Sequence, residues 1–244
     1  MTSAQAAARR GELSGSLQRV HERIRSACDA AGRPPTDVVL IVVTKFFPVS
    51  DVVALCQLGV TDIGENRDQE ASAKIAALPS EVRERLHVHF IGQLQSNKAA
   101  SLVSYVDTVH SIDRAKLVRA LGRAAIAAGR DIGALVQVSL SAGSSGPGPG
   151  RGGMPPEGVA ELANSVAAAD HLTLRGVMAV APLGVDPGTA FSQLAAVAHR
   201  VRVDHPEATW ISAGMSADLE AAVANGATHL RVGSAILGSR PLFG

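Results

Sequence analysis

Short apolar segments alternate with helix-like segments about eight times along the chain, and this alternation limits the possible folds more than any other feature. The first apolar segment, 38–43, contains only Val, Leu and Ile, which is typical of a strand covered by helices on both faces. Similar segments recur at 62–64, 86–91, 106–110, 134–140, 174–180, 209–212 and 229–232. Helical patterns occupy 50–59, 67–78, 113–128, 156–169, 189–203 and 217–225. Strands that alternate with helices in this way form a parallel sheet.

The length of the chain favours a closed sheet over an open one. A (β/α)8 barrel takes roughly 250 residues, and this chain has 244. About eight strand–helix units therefore predict an α/β fold of the (β/α)8 barrel type. We place the barrel at 38–240, within a single domain that covers 1–244.

Two segments lie outside the strand–helix alternation. Near the start of the chain, Leu13, Leu17, Val20 and Ile24 recur at three- and four-residue spacing, which predicts an N-terminal helix within 1–35. The segment 141–153 is dominated by Gly, Ser and Pro, a composition typical of a flexible loop. Because it follows the fifth strand, we expect it at the rim formed by the carboxyl ends of the strands.

Charge and hydropathy argue against several classes of partner. The 23 basic and 22 acidic side chains leave a net charge of +1, whereas binding to nucleic acid needs a concentrated basic surface. The longest apolar run is far shorter than the roughly 20 residues that cross a bilayer. Cys28 and Cys56 lack the spacing of metal ligands and are expected to be buried thiols. We expect a soluble cytoplasmic protein without a metal, a membrane or a nucleic acid as partner.

Lysine is rare in this chain, and one lysine stands at a position suited to chemistry. Only four of the 23 basic residues are lysines. Lys45 directly follows the first strand, at the end where barrels carry their active sites. Burial beside Phe46 and Phe47 would lower the pKa of its amine and favour a Schiff base with a carbonyl group. A lysine that reaches from the strand end to solvent is the alternative, and position alone leaves both open.

The last two strands end in small residues that suit an anion. Ser216 follows the seventh strand, and Gly233 and Ser234 follow the eighth. Glycine allows close approach, hydroxyl groups donate hydrogen bonds, and backbone N–H groups at the start of a helix attract negative charge. Barrels often bind phosphate with these two loops. The same sequences also occur in ordinary turns and helix caps.

Closure of the barrel would bring the lysine and the anion-binding loops together, because the eighth strand pairs with the first. An amine that can form an imine, beside a phosphate site, fits pyridoxal phosphate (PLP). Arg231 would then face the pyridine nitrogen as a hydrogen-bond donor, which makes the cofactor a poorer electron sink than an aspartate partner does. A salt bridge at the rim is the alternative for Arg231. Asn66, after the second strand, is placed to touch the cofactor ring.

These motifs together resemble one family, the pyridoxal phosphate homeostasis proteins, which are single-domain relatives of the alanine racemase barrel. The resemblance covers 38–240 and rests on Val43-Thr44-Lys45, on Gly64-Glu65-Asn66-Arg67, and on the segments 89–98, 214–219 and 231–236. It implies that Lys45 is the Schiff-base lysine, that Arg231 faces the pyridine nitrogen, and that Asn66 and Met215 lie near the ring. It implies phosphate contacts from Ser216, Gly233 and Ser234.

The resemblance also implies a function. Proteins of this family are thought to bind, buffer and deliver the cofactor, with apo-enzymes as recipients, rather than to turn over a substrate. This chain departs from the family in its Gly/Pro-rich segment 141–153, which puts loop-dependent transfer in doubt. It departs again at Ser212-Ala213 and Leu237, where a Met and an aromatic residue are expected, and we interpret these differences as changes in packing.

The residues themselves argue against catalysis, although two enzymatic alternatives stay open. A racemase needs acid–base groups on both faces of its substrate. Lys45 could supply one such group, but the only tyrosine, Tyr105, precedes the fourth strand. We therefore predict a non-enzyme that is a monomer or a weak dimer. The alternatives are a PLP enzyme with weak racemase or deaminase activity, and a Schiff-base aldolase that acts on a sugar phosphate.

Overall fold

The computed structural model describes residues 2–140 and 152–239, and strands and helices alternate through both ranges. The strands are β1 (Val39–Val43), β2 (Asp62–Glu65), β3 (His87–Phe90), β4 (Thr108–Ile112), β5 (Ile132–Gln137), β6 (Leu172–Met178), β7 (Trp210–Ser212) and β8 (His229–Val232). The helices are α1 (Ser3–Ala30), α2 (Val49–Gln57), α3 (Asp68–Ala76), α4 (Ser80–Arg83), α5 (Ala99–Val103), α6 (Ala115–Ala128), α7 (Val159–Ala167), α8 (Pro187–Asp204), α9 (Leu219–Ala224) and α10 (Ser234–Leu237).

The eight strands form a closed parallel barrel in which each strand pairs with its neighbours in chain order. The barrel closes where β8 pairs with β1, and Val39 to Val42 lie opposite His229 to Val232. The predicted (β/α)8 barrel is therefore confirmed. Apolar side chains fill the layer between the strands and the surrounding helices, and Ile41 and Val42 of β1 are fully buried.

Helix α1 confirms the predicted N-terminal helix but begins ten residues before the first apolar position, Leu13. The early start has a local cause, since Thr2 and Gln5 form a capping box that satisfies free N–H groups of the first turn. The buried face of α1 includes Leu17 and Val20 and packs against α2, α9 and α10. Because these helices flank β8 and β1, α1 covers the outside of the seam at which the barrel closes.

Several strand boundaries differ from the sequence prediction by one to three residues, and in β4 buried polar residues extend the strand at its carboxyl end. The fourth strand was expected at 106–110, yet β4 runs from Thr108 to Ile112 and includes the buried His110 and Ser111. Hydrophobicity underestimates such a strand, since polar side chains inside a barrel can satisfy one another. The predicted rim loop 141–153 lies outside the described residues except for its last two glycines.

Within the described residues, no helix has the length and apolar character needed to cross a membrane.

Candidate functional site

A cavity of about 380 Å³ opens at the carboxyl ends of the strands, where β1, β7 and β8 meet. This volume lies within the usual range for small-molecule sites. Its wall contains six of the residues predicted from the sequence, namely Lys45, Met215, Ser216, Arg231, Gly233 and Ser234. Phe46, Phe47 and Ile91 add apolar surface. Closure of the barrel thus brings residues from the two ends of the chain into one cavity.

Asn66 lies in a neighbouring cavity of about 300 Å³ rather than in the wall of the first one. The two cavities share Ile91 and Met215 in their walls, so they adjoin. Gln93 and Gln137 add polar groups to the second cavity, and none of its lining residues in the described ranges is charged. The structure therefore does not place Asn66 in the wall of the cavity that contains the other predicted site residues.

The backbone on both sides of Lys45 is held by a buried group of charges. Lys74 of α3 donates to the carbonyl oxygen of Thr44 at 2.8 Å and to Glu65 Oε1 at 2.8 Å. Thr44 Oγ1 also donates to Glu65 Oε1, at 2.6 Å. On the other side of Lys45, the N–H of Phe46 donates to Glu70. These contacts fix the segment that carries the half-buried Lys45 at the edge of the cavity.

Glu65 is buried within this group of charges, and its carboxylate group is only partly hydrogen-bonded. Its side chain is fully buried, and Oε2 has no hydrogen-bond partner within the described part of the chain. Burial raises the pKa of Glu65, although Lys74 and Thr44 act in the opposite direction.

Phe46 adopts a φ of 71°, which is rare for a residue with a side chain. Such local constraints are typical of functional sites.

The opposite wall of the cavity offers hydroxyl donors and a close approach to the backbone. Ser234 Oγ donates to Ser216 Oγ at 3.3 Å, so the two hydroxyl groups are adjacent. A Cβ atom at Gly233 would lie 3.2 Å from the carbonyl oxygen of Val43 and 3.3 Å from its Cβ atom. A side chain there would press against β1. From the outside, Arg23 of α1 donates to the carbonyl oxygen of Ser216 at 3.0 Å and holds this loop in place.

Arg231 supplies a buried positive charge to the cavity. The residue is only 4% exposed, and its guanidinium group donates to Ser212 Oγ at 2.6 Å and to the carbonyl oxygen of Ala179 at 2.8 Å. Burial lowers the pKa of Arg231 to about 10, so the group keeps its charge at neutral pH. The rim salt bridge considered from the sequence is not formed, since Arg231 has no carboxylate partner at ion-pair distance among the described residues.

Sequence reasoning missed the polar interior beneath the cavity. Ser212 was interpreted as a change in packing, yet its hydroxyl group lies between Arg231 and His110. Since β4 and β7 are not neighbours in the barrel, the contact between His110 and Ser212 crosses the interior. The alternation of polar residues within strands was the available signal, as in His87 and His89 or His229 and Arg231.

The other residues that depart from the family pattern pack as apolar side chains. Ala213 and Leu237 are buried at 1% and 2% exposure.

Tyr105 lies outside the cavity wall and donates to Asp68 Oδ1 at 3.1 Å. Cys28 and Cys56 are buried free thiols, and burial raises the pKa of Cys28.

Known proteins share both the sequence and the fold of this chain. The family model described as the alanine racemase N-terminal domain matches residues 16–241. The pyridoxal phosphate homeostasis protein of Mycobacterium tuberculosis is 41% identical, over 96% of this chain and 95% of that protein. The chain belongs to the pyridoxal phosphate homeostasis protein family. The resemblance stated from the motifs is thereby confirmed, and so is the barrel type.

Solved structures of similar sequence have the same fold. A protein of Bifidobacterium adolescentis, described as unknown, has a TM-score of 0.87 and 31% identity, and the match covers 97% of each chain. PipY of Synechococcus elongatus, solved with PLP bound, has a TM-score of 0.78 and 31% identity. That match covers 93% of this chain and 100% of PipY.

Proposed function

We propose that this chain binds PLP in the cavity beside Lys45 and acts in intracellular PLP homeostasis, as a cytoplasmic buffer or carrier. The observation that carries the proposal is the meeting of Lys45, Arg231 and the two serines in one cavity. Membership of the family supports it, as does PipY, a relative of known structure with PLP bound. Apo-enzymes that need the cofactor are the proposed recipients.

The residues of the cavity fit the three polar ends of PLP. Ser216 and Ser234 offer adjacent hydroxyl groups to a phosphate, and Gly233 lets the loop that carries Ser234 lie close to Val43 of β1. Arg231 is a donor with no acceptor atom, so it suits an unprotonated ring nitrogen. The aldehyde of PLP condenses with a primary amine with loss of water, and we assign that amine to Lys45.

The described lining of the cavity does not contain the pair of acid–base groups that racemisation needs. Within the described residues, no carboxylate, histidine or tyrosine lines it, and Lys45 and Arg231 are its ionisable side chains. Racemisation requires a proton donor and a proton acceptor on opposite faces of the substrate. The hydroxyl group of Tyr105 is bound to Asp68, outside this cavity. We therefore propose binding and release of the cofactor without substrate turnover.

Titration with PLP tests the binding proposal. Addition of PLP to the full-length protein is expected to produce a new visible absorption band that persists after gel filtration. Lys45→Ala should lose the band, whereas Lys116→Ala should keep it, because Lys116 is an exposed lysine on α6. A wild-type protein that forms no band refutes the proposal. A band that Lys45→Ala retains refutes the assignment of the amine.

Turnover assays separate the carrier from the enzymatic alternatives. We expect the PLP-loaded protein to release no keto acid from amino acids and to racemise none of them. The protein without PLP, in which the amine of Lys45 is free, should cleave no sugar phosphate. Lys45→Ala provides the background rate for each reaction. Product formation that exceeds this background over many turnovers would support a PLP enzyme or an aldolase instead.

A further inference from the structure

A chain of hydrogen bonds leads from the candidate cavity through the barrel interior to the opposite end of the sheet. Arg231 Nη1 donates to Ser212 Oγ at 2.6 Å, and Ser212 Oγ lies 2.9 Å from His110 Nδ1. His110 Nε2 lies 2.8 Å from His89 Nδ1. His89 Nε2 in turn lies 3.0 Å from Asp62 Oδ1. Asp62 is the first residue of β2, at the amino end of the barrel.

The chemistry of the end groups gives this chain a direction. A guanidinium group can only donate and a carboxylate can only accept, so Ser212 Oγ accepts from Arg231 and His89 Nε2 donates to Asp62. With one proton on each imidazole ring, the hydroxyl group of Ser212 then donates to His110 Nδ1. His110 then carries its proton on Nε2 and donates to His89 Nδ1. His89 likewise carries its proton on Nε2 and donates to the carboxylate of Asp62. In this arrangement each link of the chain has one donor and one acceptor, and both imidazole rings are neutral.

The surroundings of His110 support the neutral state of that ring. His89 and His110 are fully buried, and burial holds the pKa of His110 well below its ordinary value. Burial alone would raise the pKa of Asp62, but hydrogen bonds from His89 and Thr61 lower it, so the chain ends in a carboxylate. No group of His, Cys, Asp and Glu in the described ranges could hold a metal ion.

We propose that Ser212, His110 and His89 are positioning residues for Arg231, and that Asp62 is the distant acceptor that sets the direction of the whole chain. With its hydrogen directed to His110, the hydroxyl group of Ser212 keeps a lone pair in a fixed direction toward Arg231. Loss of Ser212 would leave the guanidinium group only its hydrogen bond to the carbonyl oxygen of Ala179, and loss of a more distant link would free the hydroxyl group of Ser212 to turn. This inference rests on the proposed function, because it concerns how Arg231 meets the ring nitrogen of PLP.

Nitrogen-15 NMR of the histidine rings tests the direction of the chain. In the full-length protein without PLP at neutral pH, we expect His89 and His110 to be neutral, with Nδ1 unprotonated and Nε2 protonated. His89→Gln and His110→Gln assign the signals. A proton on Nδ1 of His110, or a charged ring at either position, would overturn the proposed direction. The measurement requires no cofactor, so its result does not depend on the proposed function.

The preference for PLP over its 1-deaza analogue tests whether the hydrogen-bond chain orients Arg231 toward the ring nitrogen. The analogue has C–H in place of the ring nitrogen, so it lacks the acceptor for Arg231. We expect Ser212→Ala to weaken PLP binding roughly ten-fold and to leave the affinity for the analogue unchanged. His110→Gln should act in the same direction, which provides a second variant if Ser212→Ala folds poorly.

A matched control removes a different hydrogen bond of the barrel interior. Thr108 Oγ1 lies 2.8 Å from His87 Nε2, outside the chain that leads to Arg231. Thr108→Val should therefore keep the preference for PLP. Equal weakening of PLP and the analogue in Ser212→Ala would show a merely structural role and overturn the proposal. If the wild-type protein binds neither ligand, the proposed function fails and the assignment of positioning residues fails with it, whereas the NMR result still decides the direction.

Discussion

At the scale of single residues, the site depends on a close approach between Gly233 and β1 that leaves little room for a side chain. Gly233 follows β8, and its Cα atom faces Val43 of β1 across the seam of the barrel. The sequence suggested this role, because a glycine before Ser234 at a strand end is typical of anion-binding loops. The sequence could not show the neighbour that makes glycine necessary, since Val43 lies almost the whole chain away.

A substitution at Gly233 measures this dependence. Gly233→Ala would place a Cβ atom 3.2 Å from the carbonyl oxygen of Val43, so the loop with Ser234 must shift. We expect PLP affinity to fall roughly ten-fold or more, as measured by absorption titration. Gly11→Ala is the matched control, since a Cβ atom there meets nothing within 4 Å. Equal affinity in both variants would contradict the assigned role of Gly233.

At the scale of secondary structure elements, α3 holds the end of β1 through a buried ion pair. Lys74 and Glu65 are 6% and 0% exposed, and their side chains meet at 2.8 Å beneath the segment that carries Lys45. The pattern of 67–78 predicted the helix but gave no sign that Lys74 faces inward, because lysine is usually exposed. The partner of a buried charge depends on barrel geometry rather than on local sequence.

Removal of Lys74 should therefore destabilise the protein more than removal of a surface lysine. Lys74→Met leaves Glu65 buried without its partner, and we expect the free energy of unfolding to fall by about 3–5 kcal/mol in denaturant titrations. The double variant Lys74→Met, Glu65→Gln should recover part of this loss.

Lys98 provides the comparison for this prediction. Its amine lies 3.9 Å from Asp68, and its side chain is 50% exposed, so Lys98→Met should cost well under about 1 kcal/mol. Equal stabilities of the Lys74 and Lys98 variants would show that the ion pair between Lys74 and Glu65 does not stabilise the end of β1.

At the scale of the whole molecule, the sequence predicted the architecture but not the interior of the barrel. Apolar segments and length were enough for eight parallel strands and an N-terminal helix, because both depend on local patterns. Lys45, Ser216, Arg231, Gly233 and Ser234 followed from strand ends and barrel closure, as did the expectation for Asn66, whereas Met215 followed from the family resemblance. The chain through His110 was not predicted, since it depends on which side chains meet across the barrel.

Buried neutral histidines make the stability of the whole protein depend on pH. Burial lowers the pKa of His229 from 6.5 to about 3. The unfolded chain takes up this proton below about pH 6.5, whereas the folded protein does not until far lower pH. The contribution of His229 to the free energy of unfolding is therefore complete above about pH 6.5. It falls by about 1.4 kcal/mol per pH unit as the pH decreases toward 3.

Unfolding titrations at about pH 7 and about pH 5 measure this dependence. His229→Asn should reduce the loss of stability on acidification. His199→Asn should leave it unchanged, because His199 is exposed on α8. The same dependence in all three proteins would contradict a neutral, buried His229.

The central claim is that the amine of Lys45 holds PLP in the cavity beside Arg231, Ser216 and Ser234. Borohydride reduction of the PLP-loaded protein, followed by proteolysis and mass spectrometry, tests it most directly, because reduction makes the linkage permanent. We predict a single pyridoxyl group on the peptide that contains Lys45. A label spread over Lys74, Lys98 and Lys116, or no label on the Lys45 peptide, would contradict the account.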